Sequence, residues 1–344
     1  MQVDRVKFLA TLQKASVGLS SRELLEQSNC FIFHGGDLIT FNDEIMARAK
    51  SPIELEGAIP AKDLIGVLSK IPDETLEVIV RENEIVLKGM RRRAGITLAS
   101  DIHLPINEVP MPTKWMGMGE NVFPVMLQAS LTCGKDATQY LTTCVHVTPE
   151  LIEACDNNRM LRAELTTGFP NELLIPASSL DAIRGLTPKK FCIGKGWLHF
   201  QMDDGEVISL RCSYEKYFSG IDKALVIKNA EEIKLPANLK DIIGRAEVMA
   251  EGSKVSAVGY DSRVTITIKE GLIKVRARKE TGWYEERKRV VYSGPTLIFE
   301  VHPHFLMEVM ERSRKVLLNN EKMMIKTDKV QFVVSLYTKE EEEE

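Results

Sequence analysis

Apolar residues change their period along the chain in a recurring order. From Ile175 the spacing is helical, with Leu180, Ile183 and Leu186 recurring until Gly185 and Pro188 stop the run. Pro176 falls where a first helical turn tolerates a residue without an N–H. The period then becomes two. Leu198, Phe200 and Met202 share one face, and Ile208, Leu210 and Cys212 follow after an Asp203-Asp204-Gly205 turn. One short helix and three short strands are predicted. The same order begins at Ile59, where Leu64, Val67, Leu68 and Ile71 fit a helix face and Leu76/Val78/Val80, Ile85/Leu87 and Ile96/Leu98 alternate. A looser copy starts at Val301, with Phe305, Val309 and Met310 on its helix face.

A complementary unit precedes each copy. The first opens with a helix over Asp4–Val17, its stripe formed by Phe8, Leu9, Leu12, Ala15 and Ser16. Strands follow at Asn29–Phe33, Leu38–Phe41 and Ile45–Leu55. The second opens with a helix from Phe123 to about Gly134 and continues in strands Leu141–Val147 and Leu161–Thr166. The third opens at Leu235-Pro236-Ala237 with a helix to about Met249, then strands Val264–Ile268, Ile273–Arg278 and Lys288–Tyr292. First-half helices thus begin near residues 4, 123 and 236, and second-half helices near 60, 176 and 303. Three domains are expected, at 1–112, 121–225 and 226–338, each of two helix-plus-strands halves in an α+β fold. The Pro- and Gly-bearing segment 102–121 reads as a linker, and Tyr214–Asn229 as the next connector. With its helix drawn to Leu318, the last half is left one strand short, holding only Met323–Thr327 and Val330–Tyr337.

Composition narrows the class. The chain has 344 residues, 44% hydrophobic and 27% charged, enough for two or three ordinary globular domains. No apolar run approaches the ~18 residues of a membrane span, and the N-terminal stretch has no signal-peptide core. Six cysteines without CxxC or CxxH spacing are expected to be reduced, buried thiols of a cytoplasmic protein, with no metal or other cofactor. The net charge of −4 disfavours a protein that grips nucleic acid with its whole surface. Its distribution is uneven. The predicted helices 4–17, 61–70 and 303–318 together carry +4 and the other three are neutral, so the remainder carries −8. Residues 339–344 end in five glutamates, read as a solvated acidic tail.

Four segments give the repeat a resemblance. Val147–Arg162 (VTPELIEACDNNRMLR), the IPA-led helices at Ile59 and Ile175, Leu235–Ala246 (LPANLKDIIGRA), and Tyr292-Ser293-Gly294 leading to Phe299 and Phe305-Leu306 resemble, in order and spacing, the bacterial DNA polymerase III beta subunit, the beta sliding clamp. The resemblance covers nearly the whole chain and includes divergent, phage-type members of that family. It implies three tandem clamp-like domains per chain, two chains closing head to tail into a ring, helices inside and sheets outside. Such a ring encircles double-stranded DNA without reading its sequence. It serves as a non-catalytic processivity factor for the DNA polymerase catalytic subunit and is placed by an ATP-dependent clamp loader.

The resemblance also implies sites. Arg22, in the loop after the first helix, matches a basic residue reaching DNA phosphates; an ordinary surface arginine is the plainer reading. Lys135, Gln139 and Tyr140 match polar and aromatic DNA contacts, Tyr140 as a core strand residue being the rival. A groove for short, mostly apolar partner peptides is implied at Leu141, Cys155, Asn157, Asn158, Arg159, Met160, Lys223, Ala224, Val333, Val334 and Ser335. Here the chain departs from the family. Asn157 and Asn158 replace the usual Gly and a polar neighbour, Ser219 a common proline, and the C-terminal Met-Pro ending is missing. The dimer interface is implied at Ile96 and Leu98 against Val248 and Met249, with Arg91, Arg92 and Arg93 pairing Glu285 and Glu286 of the other copy. The rival for the arginine run is a strand edge protected by charge.

Two other function classes compete. A nucleic-acid enzyme needs convergent carboxylates or an activated nucleophile. Asp203-Asp204 sit in a turn where Asp is expected locally, His302 and His304 flank Pro303 without a third ligand, and Gly194-Lys195-Gly196 reads as a hairpin turn, not a phosphate loop. A clamp-fold scaffold that does not encircle DNA would share the repeat and differ in its assembly.

Overall fold

The computed structural model describes residues 1–250 and 262–338, so the acidic tail lies outside the described residues. The fold is α+β, and the described residues form four antiparallel sheets. The chain separates into two compact units, Met1–Phe123 with Ser178–Tyr214, and Pro124–Ala177 with Glu215 onward. Each has one eight-stranded sheet and one smaller sheet.

In the first unit the large sheet joins two sets of strands edge to edge. Gly57–Pro60, Cys30–His34, Asp37–Phe41 and Ile45–Lys50 form one set; Val207–Arg211, Trp197–Gln201, Lys190–Gly194 and the short Met116–Gly117 form the other. The seam pairs Arg48 with Val207 and Ile45 with Leu210. The smaller sheet holds Gln2–Asp4, Thr75–Val80, Glu84–Lys88 and Arg93–Thr97, with Arg93–Thr97 at its edge. Helices Arg5–Ala15 and Ala61–Lys70 pack together. Asp4 caps the first by accepting the Lys7 N–H at 3.0 Å. Arg5 joins the pair, donating to the Leu68 carbonyl in the last turn of the second helix at 3.1 Å and to the Asp73 carbonyl at 2.9 Å. Phe8, Leu12, Leu64 and Leu68 are fully buried.

The second unit follows the same scheme. Its large sheet runs Leu173–Pro176, Cys144–Val147, Leu151–Cys155, Arg159–Glu164, then Val330–Ser335, Lys322–Lys326, Lys315–Leu318 and Glu231–Lys234. Its smaller sheet is Gly282–Arg289, Leu272–Lys279, Val264–Lys269, Leu297–Val301 and Tyr337–Thr338. Helices Leu239–Glu247 and Pro303–Arg312 pack together. Among the described residues no helix is long and apolar enough to cross a membrane.

Several elements differ from the sequence expectation. Pro60 and Pro176 end strands, and the helices begin at Ala61 and Ala177. Proline suits this junction because its fixed φ and missing N–H finish a strand that pairs on one side. The helix at 303 ends at Arg312. Ser313 turns to an extended conformation and its hydroxyl bridges the Lys315 N–H and carbonyl, each at 3.0 Å. Lys315–Leu318 is therefore a strand, and the last half has a third strand where the sequence predicts two. The strand placed at Lys288–Tyr292 is Gly282–Arg289. Segment 102–121 is anchored, not free: Leu104, Ile106 and Val109 enter a core with Ile39, Phe41 and Trp197. Gln27 helps hold it, accepting the His103 N–H at 2.8 Å and donating to the Asp101 carbonyl at 2.7 Å.

Candidate functional site

Much of the expected groove converges in the second unit. Strands Leu151–Cys155 and Arg159–Glu164 are joined by a turn at Asp156-Asn157-Asn158, whose Asp156 carboxylate accepts the N–H groups of Asn158 at 2.7 Å and Arg159 at 2.5 Å. Asn157 keeps a negative φ, so the turn does not require glycine. Strand pairing then sets Met160 opposite Val333 and Arg159 opposite Val334. Asn158 bridges to the C-terminal segment, accepting the Ser335 N–H at 2.8 Å and, through its side chain, the Tyr337 hydroxyl at 2.9 Å.

Under this turn lies an apolar cluster of Cys144, Met160, Leu174, Tyr217 and Ile221, with half-buried Leu141, Cys155 and Leu225 packed against it. Met160 and Val333 are 4% exposed, so they are part of the interior, while Leu141, Cys155 and Leu225 reach the surface. Tyr217 stacks on His146 with ring centroids 4.6 Å apart, and its hydroxyl lies 3.3 Å from Cys155 Sγ. Burial pushes the Tyr217 phenol and the Cys155 thiol up, so both are neutral near neutral pH.

One wall is the short helix Ile221–Ala224. Arg162 holds its start, bonding Asp222 at 2.6 Å and Glu153 at 2.7 Å, and Glu153 in turn meets His146 at 2.8 Å. Lys322 holds its end, its ammonium donating to the carbonyls of Ala224 and Val226 at 3.0 Å and Lys223 at 3.4 Å. Lys223 and Ala224 are exposed on this wall. Beside it opens a cavity of about 610 Å³, lined by Lys223, Val226–Asn229 and Asn319–Lys322. Tyr217, Ile221, Arg162 and Lys322, which build this cluster and its wall, are not among the residues that the resemblance implies. The aromatic pair Tyr217-Phe218 beside Gly220 was the one local signal that this connector is structured.

Arg159 is not offered to a ligand. Its side chain is 3% exposed, donates to Asp156 at 2.7 and 2.9 Å and to Glu308 at 2.7 Å, and lies over the Phe305 ring at 4.5 Å. Burial alone would lower its pKa, but Asp156 and Glu308 outweigh burial and raise it. His302 starts the helix beneath, its Nδ1 accepting the His304 N–H at 3.1 Å. Burial, with the neighbouring His304 and Arg159 charges, lowers its pKa to about 4.

The expected DNA contacts fall in both units. Arg22 is exposed in the first, next to Leu24, and makes no ion pair among the described residues. Lys135, Gln139 and Tyr140 come together in the second, on and before the 3-10 helix Ala137–Thr143; Tyr140 is therefore not a strand residue. Asp136 caps that helix, and its bonds to Thr138 hold its carboxyl below the usual range. Tyr140 is 41% exposed, and Lys135 and Gln139 are exposed.

The expected interface residues lie at two sheet edges and at the end of helix Leu239–Glu247. On Arg93–Thr97 and just beyond, Ile96 and Leu98 are buried within their own unit, while Arg91 and Arg93 are exposed. Arg92 pairs with Asp73 at 3.2 Å. A cavity of about 520 Å³ between this edge and the adjoining helix is lined by Lys62, Val67, Lys70, Ile71, Arg92 and Arg93, among others. On the edge Gly282–Arg289, Glu286 is held by Arg245 at 2.8 Å and by Tyr284, and Glu285 by Arg287 at 2.8 Å. Val248 is 66% exposed and Met249 half-buried. Trp283, which sequence reasoning missed, is 63% exposed.

The acidic turn of the rival enzyme reading is occupied locally. Asp204 pairs with Lys14, and Asp203 lies 3.8 Å from Lys189. Among the described residues no group of three His, Cys, Asp or Glu side chains is placed to hold a metal ion.

No protein-family model matches the sequence, and no curated protein matches it. Solved structures do match in fold. The DNA polymerase III beta chain of Streptococcus pneumoniae superposes with a TM-score of 0.83 at 17% identity, covering 98% of this chain and 99% of that one. The DNA polymerase III subunit beta of Pseudomonas aeruginosa does so at 0.79 and 16%, with the same coverage. The sliding clamp of Bacillus subtilis matches at 0.79 and 14%, again over 98% and 99%. From its first helix to its last described strand, this chain has the fold of the bacterial DNA polymerase III beta sliding clamps.

Proposed function

We propose that this chain is a DNA sliding clamp: two copies close a ring around duplex DNA and tether the replicative polymerase to it. The observation that carries this reading is the clamp fold over 98% of the chain, with TM-scores of 0.77 to 0.83 at several solved beta clamps. Each copy contributes three domains, 1–112, 121–225 and 226–338, with helices lining the hole and sheets forming the wall. The mechanism is topological. Closure retains the ring, while a few weak phosphate contacts let it move. Arg22, Lys135, Gln139 and Tyr140 supply such contacts. This sparse set suits a chain whose net charge is −4, because a dense basic surface would hold the ring in place. No covalent bond changes, and no cofactor is needed by the chain. The role places it in the cytoplasm.

The two polar edges, Arg93–Thr97 and Gly282–Arg289, close the ring head to tail by main-chain pairing between copies. Arg91 and Arg93 on one edge meet Glu285 and Glu286 on the other, and Trp283 and Val248 bury apolar area as they do so. The groove around Leu141, Cys155 and Leu225 receives short apolar peptides from the polymerase catalytic subunit and the ATP-dependent loader.

Sedimentation and negative-stain imaging test the assembly. A dimeric closed ring is expected, converted to folded monomers by Trp283→Ser with Val248→Ser. A wild-type chain that stays monomeric at micromolar concentration, or forms open filaments, rules this assembly out.

A further inference from the structure

The cavity beside the groove wall has more charge than an apolar peptide requires. Its frame is internally satisfied. The Lys322 ammonium is committed to three carbonyls. Asn319 accepts the N–H groups of Glu321 at 2.9 Å and Lys322 at 2.7 Å and donates to the Lys228 carbonyl at 2.9 Å. Asn320 accepts the Ile298 N–H at 3.0 Å. The connector and the hairpin are thereby tied into one wall, which leaves three charged side chains of the lining uncommitted to it. The Lys223 and Lys228 ammoniums and the Glu321 carboxylate make no ion pair among the described residues. Cations outnumber the anion, and Val226, 51% exposed, adds an apolar surface between them. The cavity also adjoins the apolar mouth: Leu225 packs on the groove cluster, and the next residue, Val226, lines the cavity.

We infer that this cavity is a second subsite of the partner groove, and that it takes a carboxylate side chain flanking the partner's apolar anchor. This rests on the reading of the groove as a peptide site. Lys223 lines the cavity two residues before Leu225 of the groove cluster, so a side chain flanking the peptide's anchor comes next to this cavity. An aspartate or glutamate there meets two ammoniums that make no ion pair among the described residues. Exposed pairs of this kind are weak individually, so selectivity comes from two together.

The test uses the full-length chain and three fluorescent peptides with one apolar Leu-Phe anchor, flanked by Asp-Asp, Asn-Asn or Lys-Lys. Anisotropy is expected to rank them in that order, with roughly tenfold between the Asp and Lys forms at low salt and less at 0.5 M. Lys223→Glu with Lys228→Glu should reverse the ranking; both side chains are on the surface, so the fold is unaffected, as circular dichroism would verify. Equal affinity for the three flanks overturns the acidic subsite and leaves the peptide groove standing. Binding by none of them removes the groove reading itself. A chain ending at Thr338 should behave as the full chain does. If that truncation tightens every peptide alike and the Lys variant does the same, the cavity serves the five glutamates of the chain's own tail, and the proposal falls.

Discussion

Arg159→Met removes the centre of the most buried ionic cluster among the described residues. Arg159 is 3% exposed, between Asp156 at 9% and Glu308 at 11%, with contacts of 2.7 Å to each. Breaking a buried pair from one side costs about 3–5 kcal/mol, because the remaining charge is left without a counter-ion. Two features place this case at the low end. Asp156 retains two backbone N–H donors, and Glu308 retains Arg312 at 2.9 Å. About 3 kcal/mol is therefore expected. Hydrogen exchange in Arg159–Glu164 and Val330–Ser335 reads it directly, since these strands pair through Arg159 and Val334. Protection should fall roughly a hundredfold there, at ~1.4 kcal/mol per decade. Adding Asp156→Asn and Glu308→Gln should restore about half, because the stranded charges are gone. A change below threefold, or no recovery in the triple variant, refutes the claim that Arg159 anchors the turn through these carboxylates.

Other substitutions probe different links. Gly57→Ala should destabilise the first unit by about 2 kcal/mol or more: φ is +127° and an added Cβ would stand 2.5 Å from the Ala99 carbonyl oxygen, so an unchanged urea midpoint would contradict the geometry. Met160→Ala should cost about 2–4 kcal/mol and weaken peptide binding, since it opens the floor of the groove; a stable variant with normal affinity would place the floor elsewhere. Burial lowers the His199 pKa to about 4, and burial with nearby charge does the same at His302. The unfolded chain thus binds more protons between pH 6.5 and 4, so stability is full above 6.5 and declines as pH falls through that window. Urea midpoints at pH 7 and 5 should separate, and His199→Gln with His302→Gln should narrow the gap; equal separation in both proteins would assign the dependence to other groups.

The parts legible in the sequence are those governed by local periodicity. Of the helix face Leu64, Val67, Leu68 and Ile71, three residues are buried and Val67 is half-buried. The strand at Gly282–Arg289 is not legible in the sequence because it is an edge. Most of its side chains are polar and none is fully buried, so no alternation marks it. Lys315–Leu318 reads as helix in the sequence because Val316 and Leu318 extend the apolar pattern of Val309, and the break is marked only by Ser313, whose hydroxyl bonds Lys315. Cys155 and Met160 are named through resemblance, and they converge in one apolar cluster. The contacts that support it are not legible, because Lys322 acts on carbonyls almost a hundred residues earlier and Arg159 on Glu308 about 150 residues later. Pairings of that range leave no local pattern.

The sliding-clamp function itself is tested most directly by retention on closed DNA. The chain is loaded onto a nicked circular duplex, free protein is removed, and the bound fraction is followed before and after linearisation with a restriction enzyme. A topological ring stays on the circle through a salt wash that strips ordinary phosphate contacts, and leaves within minutes once ends are present. Equal loss from circular and linear DNA, or retention that follows salt alone, would contradict it.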